Sequence, residues 1–252
     1  VNRTHTQASE SGCQSVIRRL PATATQTELL SLLAGLNADR GVHGILVQLP
    51  LPEHIDEPAV IQAIDPAKDI DCFHPLNLGR LVAGLPGPKP ATPQGILMLL
   101  DAYNIDVKGM HAVVVGRSNL VGKPLGIMLL ARHATVTYCH TRTRDLAGLC
   151  RQADLLVAAA GRAGIVTGAM VKPGSVVVDV GTNYVPALDA AGQPALDEAG
   201  KPRQSLTGDC VFAEVEPLAG FISPVPGGGG PMTIASVLAN GLTLYKLIEG
   251  VD

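Results

Sequence analysis

AVVVGRSNLVGKP, residues 112–124, decides the fold. Ala112, Val113, Val114 and Val115 are small or β-branched and apolar, the composition of a strand buried on both faces. Gly116 ends that run, and a helix is expected to begin near Val121. A strand that stops at glycine and hands over to a helix leaves backbone N–H groups unpaired at the turn, where a phosphate is the natural occupant. The spacing departs from G-x-G-x-x-G: Gly116 and Gly122 remain, with Ser118 and Asn119 between them. Taken alone, the turn fits an ordinary strand–turn–helix corner equally well. Arg117 favours NADP, because a guanidinium beside such a turn can pair with a 2′-phosphate.

Beyond the turn, strand and helix alternate as in a parallel sheet. A helix over 125–130 leads to the strand TVTYC (135–139), and a helix over 144–152 to the strands DLLVAA (154–159) and SVVVDV (175–180). They end on His140 and Thr141, on Gly161, and on Gly181, Thr182 and Asn183, so polar or glycine residues converge on one sheet edge, the place for a dinucleotide. Thr141 and Arg142 suit the ribose and its phosphate. Residues 184–204 loosen into a surface insertion with short strands or no order, and order resumes at 208–211. Four glycines, 227–230, then stand between Pro226 and Pro231, too costly in backbone entropy to be idle. Such a loop lets backbone approach a flat ligand closely. A last helix is expected from Met232 or Thr233 to about Glu249, with Ile234, Val237, Leu238 and Leu242 on one stripe.

Before the turn, TPQGILMLLDAYN (92–104) predicts a helix with Thr92 as N-cap and Pro93 in its first position, the candidate domain crossover. Asp65, Asp69 and Asp71 fall within seven residues, but the glycine turn and distal glutamate of a calcium loop are missing. No metal is expected, and Asp71 reads as an acceptor for a ligand's N–H groups. VHGILVQL (42–49) predicts a buried strand with Gln48 at its carboxyl end, either a ligand contact or a partner of the following loop. A short helix over 58–64 carries proline in its first turn. His43 and His54 read as surface or structural. Thr25 or Thr23 caps a helix with Leu29, Leu32, Leu33 and Leu36 on its core stripe; 13–20 predicts a strand; 1–12 reads as the end of a helix closed by Gly12.

The 252 residues suit one large or two small domains. A net charge of −3 gives no electrostatic case for nucleic acid or an anionic membrane, no apolar run reaches transmembrane length, and no signal peptide opens the chain. Five dispersed cysteines without a C-x-x-C pair fit reduced thiols in a cytoplasmic enzyme rather than disulfides or zinc.

QTELLSLLAGLNADRGVHGILVQLPL (26–51), KDIDCFHPLNLGRL (68–81), TPQGI (92–96), GRSNLVGKP (116–124), DVGTN (179–183) and PGGGGPMT (226–233) occur in an order that resembles the methylenetetrahydrofolate dehydrogenase/methenyltetrahydrofolate cyclohydrolase family. The resemblance covers nearly the whole chain. It implies an α/β protein of two domains joined by two long helices, with folate in the cleft between them. One is a folate-binding catalytic domain, 1–91 plus 232–252; the other is a Rossmann-like parallel-sheet NADP-binding domain, 92–231. The implied reaction is NADP-dependent oxidation of 5,10-methylenetetrahydrofolate to the methenyl cation, then hydrolysis to 10-formyltetrahydrofolate. It serves one-carbon metabolism and purine biosynthesis, in a cytoplasmic homodimer.

By the same resemblance, Gln48 lies beside the bridging carbon, holds the family's catalytic lysine and aligns water. Asp71 accepts hydrogen bonds from the pterin. Val47 and Leu49, with Pro226, Gly227, Gly228, Gly230, Pro231, Met232 and Thr233, shape the folate cleft. Gly116, Arg117, Ser118, Thr141 and Thr182 contact NADP. Three positions depart from the family: Thr4 where the lysine is expected, Cys72 for the glycine after Asp71, and Gly229 for a valine. Threonine cannot replace a titratable amine, which leaves open a dehydrogenase without hydrolysis or a silent folate- or dinucleotide-binding protein. The family tyrosine falls before Val1, and the size of a complete two-domain enzyme places the expected start about fifty residues earlier.

Overall fold

The computed structural model describes residues 2–187, 193, 195, 196 and 200–251. The chain divides into two compact units, Val1–Met98 with Met232–Asp252, and Leu99–Pro231. The helices are α1 (Asn2–Glu10), α2 (Gln26–Ala38), α3 (Glu57–Ala63), α4 (Pro75–Val82), α5 (Ala91–Ala102), α6 (Gly122–Ala131), α7 (Leu146–Cys150), α8 (Phe212–Val215) and α9 (Gly229–Glu249). The strands are β1 (His111–Val115), β2 (Thr135–Cys139), β3 (Leu155–Ala158), β4 (Val176–Asp179), β5 (Asn183–Pro186), β6 (Gln204–Thr207) and β7 (Phe221–Ile222). The chain passes between the units inside α5 and again inside α9.

In the first unit, α1 closes at Gly12. Gly12 N–H donates to Ser9 O (3.1 Å) and Cys13 N–H to Ala8 O (2.9 Å), the paired bonds of a Schellman end. Thr25 and Glu28 form a capping box that opens α2, and these hydrogen bonds hold the Glu28 carboxyl below its ordinary value. Leu29 and Leu33 of α2 pack with Ile45, Val60 and Ile64. Buried Lys68 closes the other end of α2, its Nζ donating to Leu36 O (3.1 Å), Asn37 O (2.7 Å) and Asp39 O (2.6 Å). Buried Asp69 accepts from Phe73 N (3.2 Å), His74 N (2.8 Å) and Asn77 Nδ2 (3.0 Å), and so folds the chain into α4. Asn240 of α9 donates to Ile70 O (2.8 Å) and Lys89 O (2.7 Å).

Two expected strands do not form here. Residues 42–49 make only the single parallel bridge Ile45↔Asp69, and only Ile45 of the expected run is buried. Residues 13–20 join no strand ladder among the described residues. An apolar run becomes a strand only where a neighbouring ladder takes its backbone groups. His43 bonds Glu249 (2.9 Å) and stacks edge-on to Tyr245, and His54 bonds Ala24 O (2.9 Å), both structural roles.

The second unit carries a five-stranded, wholly parallel sheet in the order β2-β1-β3-β4-β7. Ala112, Val113 and Val114 are fully buried, and Val113 pairs with Thr137 on one side and Leu156 on the other. α6 returns the chain from β1 to β2 and α7 from β2 to β3. Val113, Val115, Leu156, Val177 and Val215 form the core on one side, with the thiols of Cys139, Cys150 and Cys210 among them. Burial pushes the Cys150 thiol up to about 12 and raises those of Cys139 and Cys210, which keeps them inert.

Several boundaries move. α7 is shorter than 144–152 because Asp145, at φ 47°, turns left-handed and takes Gly148 N–H (2.9 Å). α5 starts at Ala91, so Thr92 lies inside the first turn, where its hydroxyl accepts from the Thr233 hydroxyl (3.3 Å). α9 starts at Gly229, which absorbs two of the four glycines and puts Pro231 in the first turn, where its missing N–H costs nothing. β5 and β6 form an antiparallel hairpin at the ends of the loosened stretch; 188–192, 194 and 197–199 lie outside the described residues.

Candidate functional site

From β1 the chain runs to β2 on one side and then returns to β3 on the other. The crevice outside the carboxyl ends of β1 and β3 is therefore a topological switch point, where open parallel sheets hold their ligands. Gly116 follows β1 there at φ 138°, and a Cβ on it would lie 2.0 Å from Ala159 O, just past β3. Only glycine fits. A Cβ on Gly122 would lie 2.5 Å from Gly116 O, so the turn folds tightly on the start of α6.

Among the described residues, the N–H groups of Arg117, Ser118 and Asn119 donate to no protein acceptor. The Ser118 hydroxyl is engaged, accepting from Val121 N (3.1 Å) and Gly122 N (3.3 Å) to steady the entry into α6. Arg117 is exposed and in no ion pair among the described residues. Thr141 follows β2 and Thr182 follows β4, both exposed on the same edge. Arg142 and Arg162 follow β2 and β3, so the ends of three adjacent strands each carry a guanidinium. A glycine cradle, free N–H donors at a helix start and unpaired cations fit the pyrophosphate and phosphate of a dinucleotide.

In the first unit, Val47, Leu49 and Asp71 line one cavity with Ile45, Ile64 and Phe73. The Asp71 carboxyl accepts no hydrogen bond among the described residues. Burial pushes it up to about 7, and repulsion from the Asp69 carboxylate adds to the shift. Gln48 is exposed, and its Nε2 donates to Leu49 O (2.8 Å), while its oxygen accepts from no donor among the described residues. Thr4 sits half-buried on α1. Lys68 is no substitute for the missing amine, since three carbonyls already surround its Nζ.

The residues of the glycine loop are divided. Pro226, Gly227 and Gly228 follow β7, and the two glycines line a cavity of about 220 Å³ with Leu99, Tyr103, Val177 and Phe221. Gly230 and Pro231 lie in the first turn of α9, while Met232 and Thr233 belong to the first unit. The sequence analysis places Asn183 at the binding edge but not Asp179 and Asp209, which organise the strand exits with it. Their signal was two aspartates beside glycines, in DVGTN (179–183) and GDC (208–210).

A parallel sheet with a donor-lined glycine turn at its switch point defines a dinucleotide-binding α/β protein. Residues 90–249 match the NAD(P)-binding domain of tetrahydrofolate dehydrogenase/cyclohydrolase, and residues 1–71 its catalytic domain. The chain belongs to the tetrahydrofolate dehydrogenase/cyclohydrolase family. It is 54% identical over 245 residues to the bifunctional protein FolD of Rhodospirillum centenum, covering 97% of this chain and 79% of that protein. It is 52% identical over 240 residues to the same protein of Moorella thermoacetica, covering 95% and 80%. The crystal structure of the bifunctional FolD dehydrogenase/cyclohydrolase of Campylobacter jejuni superposes with a TM-score of 0.87 at 44% identity, over 98% of this chain and 82% of that one. The Trypanosoma brucei dehydrogenase-cyclohydrolase, complexed with NADP and inhibitor, gives 0.88 at 36%, over 98% and 81%.

Proposed function

We propose that this protein oxidises 5,10-methylenetetrahydrofolate with NADP and hydrolyses the resulting 5,10-methenyltetrahydrofolate to 10-formyltetrahydrofolate. The observation that carries the proposal is the turn at 117–119, whose three N–H groups and Arg117 side chain have no partner among the described residues, at the switch point of a parallel sheet. Bound NADP supplies a nicotinamide ring that accepts a hydride from the one-carbon bridge. The backbone of 117–119 and the start of α6 hold the pyrophosphate, with Gly116 as floor; Arg117 pairs with the 2′-phosphate, and Thr141 and Thr182 contact the nucleotide.

The unit of Val1–Met98 with Met232–Asp252 takes the folate, and the unit Leu99–Pro231 takes NADP. Asp71 accepts from the pterin's amino and ring N–H groups, which favour its ionised form. Val47 and Leu49 shape the folate site, with Met232 and Thr233 of the same unit. Oxidation asks for orientation more than for an acid, because the methenyl cation is delocalised. Hydrolysis asks for a positioned water and removal of its proton, and the unoccupied Gln48 oxygen orients that water. The protein acts as a homodimer in the cytoplasm, where a reducing environment suits its five free thiols. Among the described residues no helix is long and apolar enough to cross a membrane.

The two steps are measured separately, since Thr4 stands at the position of the family lysine. NADPH formation with methylenetetrahydrofolate reads the first, and decay of methenyl absorbance reads the second. Loss of both in a preparation that binds NADP would leave only a binding protein.

A further inference from the structure

Two carboxyls outside the residues assigned above are buried beneath the carboxyl edge of the sheet: Asp179 at 3% exposure and Asp209 at 0%. No lysine or arginine among the described residues pairs with either. Backbone groups surround them instead. Asp209 Oδ2 accepts from Ala160 N (2.6 Å) and Gly161 N (2.9 Å), while its Oδ1 accepts from Arg162 N (2.9 Å) and Asn183 Nδ2 (2.8 Å). Asp179 accepts from Gly181 N (2.9 Å), Asp209 N (2.8 Å) and Cys210 N (2.8 Å).

The arrangement is reciprocal. A Cβ on Gly181, two residues after Asp179, would lie 2.3 Å from Asp209 Oδ1, and a Cβ on Gly208, just before Asp209, would lie 1.9 Å from Asp179 Oδ2. Each aspartate packs against the glycine beside the other, and together they tie the exits of β3, β4 and β6. Residues 160–162 are exposed and belong to no helix or strand, so the Asp209 carboxyl supplies the partners that a ladder otherwise would. Three successive N–H groups turned to one point form an anion-binding nest, and here the protein fills it with its own carboxyl. The turn at 117–119 keeps its donors free while the neighbouring loop has none to spare. The two are joined at Gly116, which packs on Ala159 O one residue before the loop.

We propose that Asp209 is a positioning residue for the NADP-dependent step: by accepting three successive N–H groups it fixes the 160–162 loop against the Gly116 turn and keeps that nest closed to phosphate. This rests on the function proposed above. In Asp209→Asn an NH2 replaces one oxygen and faces N–H donors it cannot accept from.

The variant is expected to bind NADP about tenfold more weakly by calorimetry, the cost of roughly one mismatched hydrogen bond. Its cofactor-free methenyl hydrolysis is expected to match that of the parent protein. The parent, without NADP, is expected to show slow hydrogen exchange at the amides of residues 160–162, faster in the variant. An unchanged NADP affinity, or an equal loss in hydrolysis and oxidation, would overturn the proposal. If the variant does not fold, the parent protein decides: unprotected exchange at 160–162 overturns it and protection supports it. A parent that binds NADP but turns over no folate defeats the functional proposal alone, and the ratio of NADP affinities still tests Asp209.

Discussion

Lys68→Met removes a charge that touches no ligand, yet its effect reaches the folate site. Lys68 is 7% exposed, and its ammonium gives all its donors to the last carbonyls of α2 and to that of its C-cap Asp39, at 3.1, 2.7 and 2.6 Å. Methionine keeps the stem's packing and leaves three acceptors without a donor. A hydrogen bond to a charged group is worth about 1.5–3 kcal/mol net, but three on one ammonium do not add, and the variant no longer bears the cost of burying a charge. Asp39 is exposed and Leu36 and Asn37 only half-buried, so water recovers part of the loss. A net destabilisation of about 2–3 kcal/mol follows, corresponding to a fall in Tm of roughly 5–10 °C at about 2–4 °C per kcal/mol. Urea titration checks it, with the midpoint lowered and the slope unchanged. Because Ile45 N donates to Lys68 O (2.7 Å), slack at Lys68 passes into 45–49, and KM for methylenetetrahydrofolate should rise while that for NADP holds. A loss under about 0.5 kcal/mol, the usual scatter of surface changes, would refute the role given to Lys68.

Arg117→Ala should weaken NADP binding far more than NAD binding in parallel titrations, and equal losses would contradict its pairing with the 2′-phosphate. Asp71, raised to about 7, binds its proton more tightly in the folded than in the unfolded chain. Ligand-free stability should therefore fall as pH rises from its ordinary value toward 7, and Asp71→Asn should flatten that slope in urea midpoints measured against pH. Folate affinity should move the other way, rising through the same window as the carboxylate forms, which calorimetry at several pH values would show. Cys72 is buried at φ 59°, its thiol donating to Pro88 O (3.2 Å). Cys72→Ala keeps the left-handed strain of about 1–2 kcal/mol and loses the bond, whereas Cys72→Gly sheds the strain. The glycine variant should melt no lower than the alanine variant, the reverse of the usual ranking.

Much of the second unit was legible because its strands are short, apolar runs that end on glycine or polar residues. Val113 to Val115 needs both faces buried, and a parallel sheet is the arrangement that provides this. α2 was equally plain, since the Thr25 and Glu28 capping box is a local signal. The 42–49 run misled because its apolar pattern carries no information about whether a partner strand lies alongside. Asp145 hid the start of α7 because an aspartate in left-handed geometry looks in sequence like any charged loop residue. At the site, glycines and the arginine announced themselves, but Asp209 carried only the faint mark of an aspartate beside a glycine, because its partners are backbone N–H groups about fifty residues upstream. Lys68 was hidden in the same way by its carbonyl partners.

The most direct test places deuterium on the one-carbon bridge of 5,10-methylenetetrahydrofolate and follows it with the purified protein and NADP. Hydride transfer within this chain predicts that the label appears in the reduced nicotinamide in step with methenyl formation. Reduced cofactor without label, or no reduced cofactor from protein that binds both ligands, would contradict it.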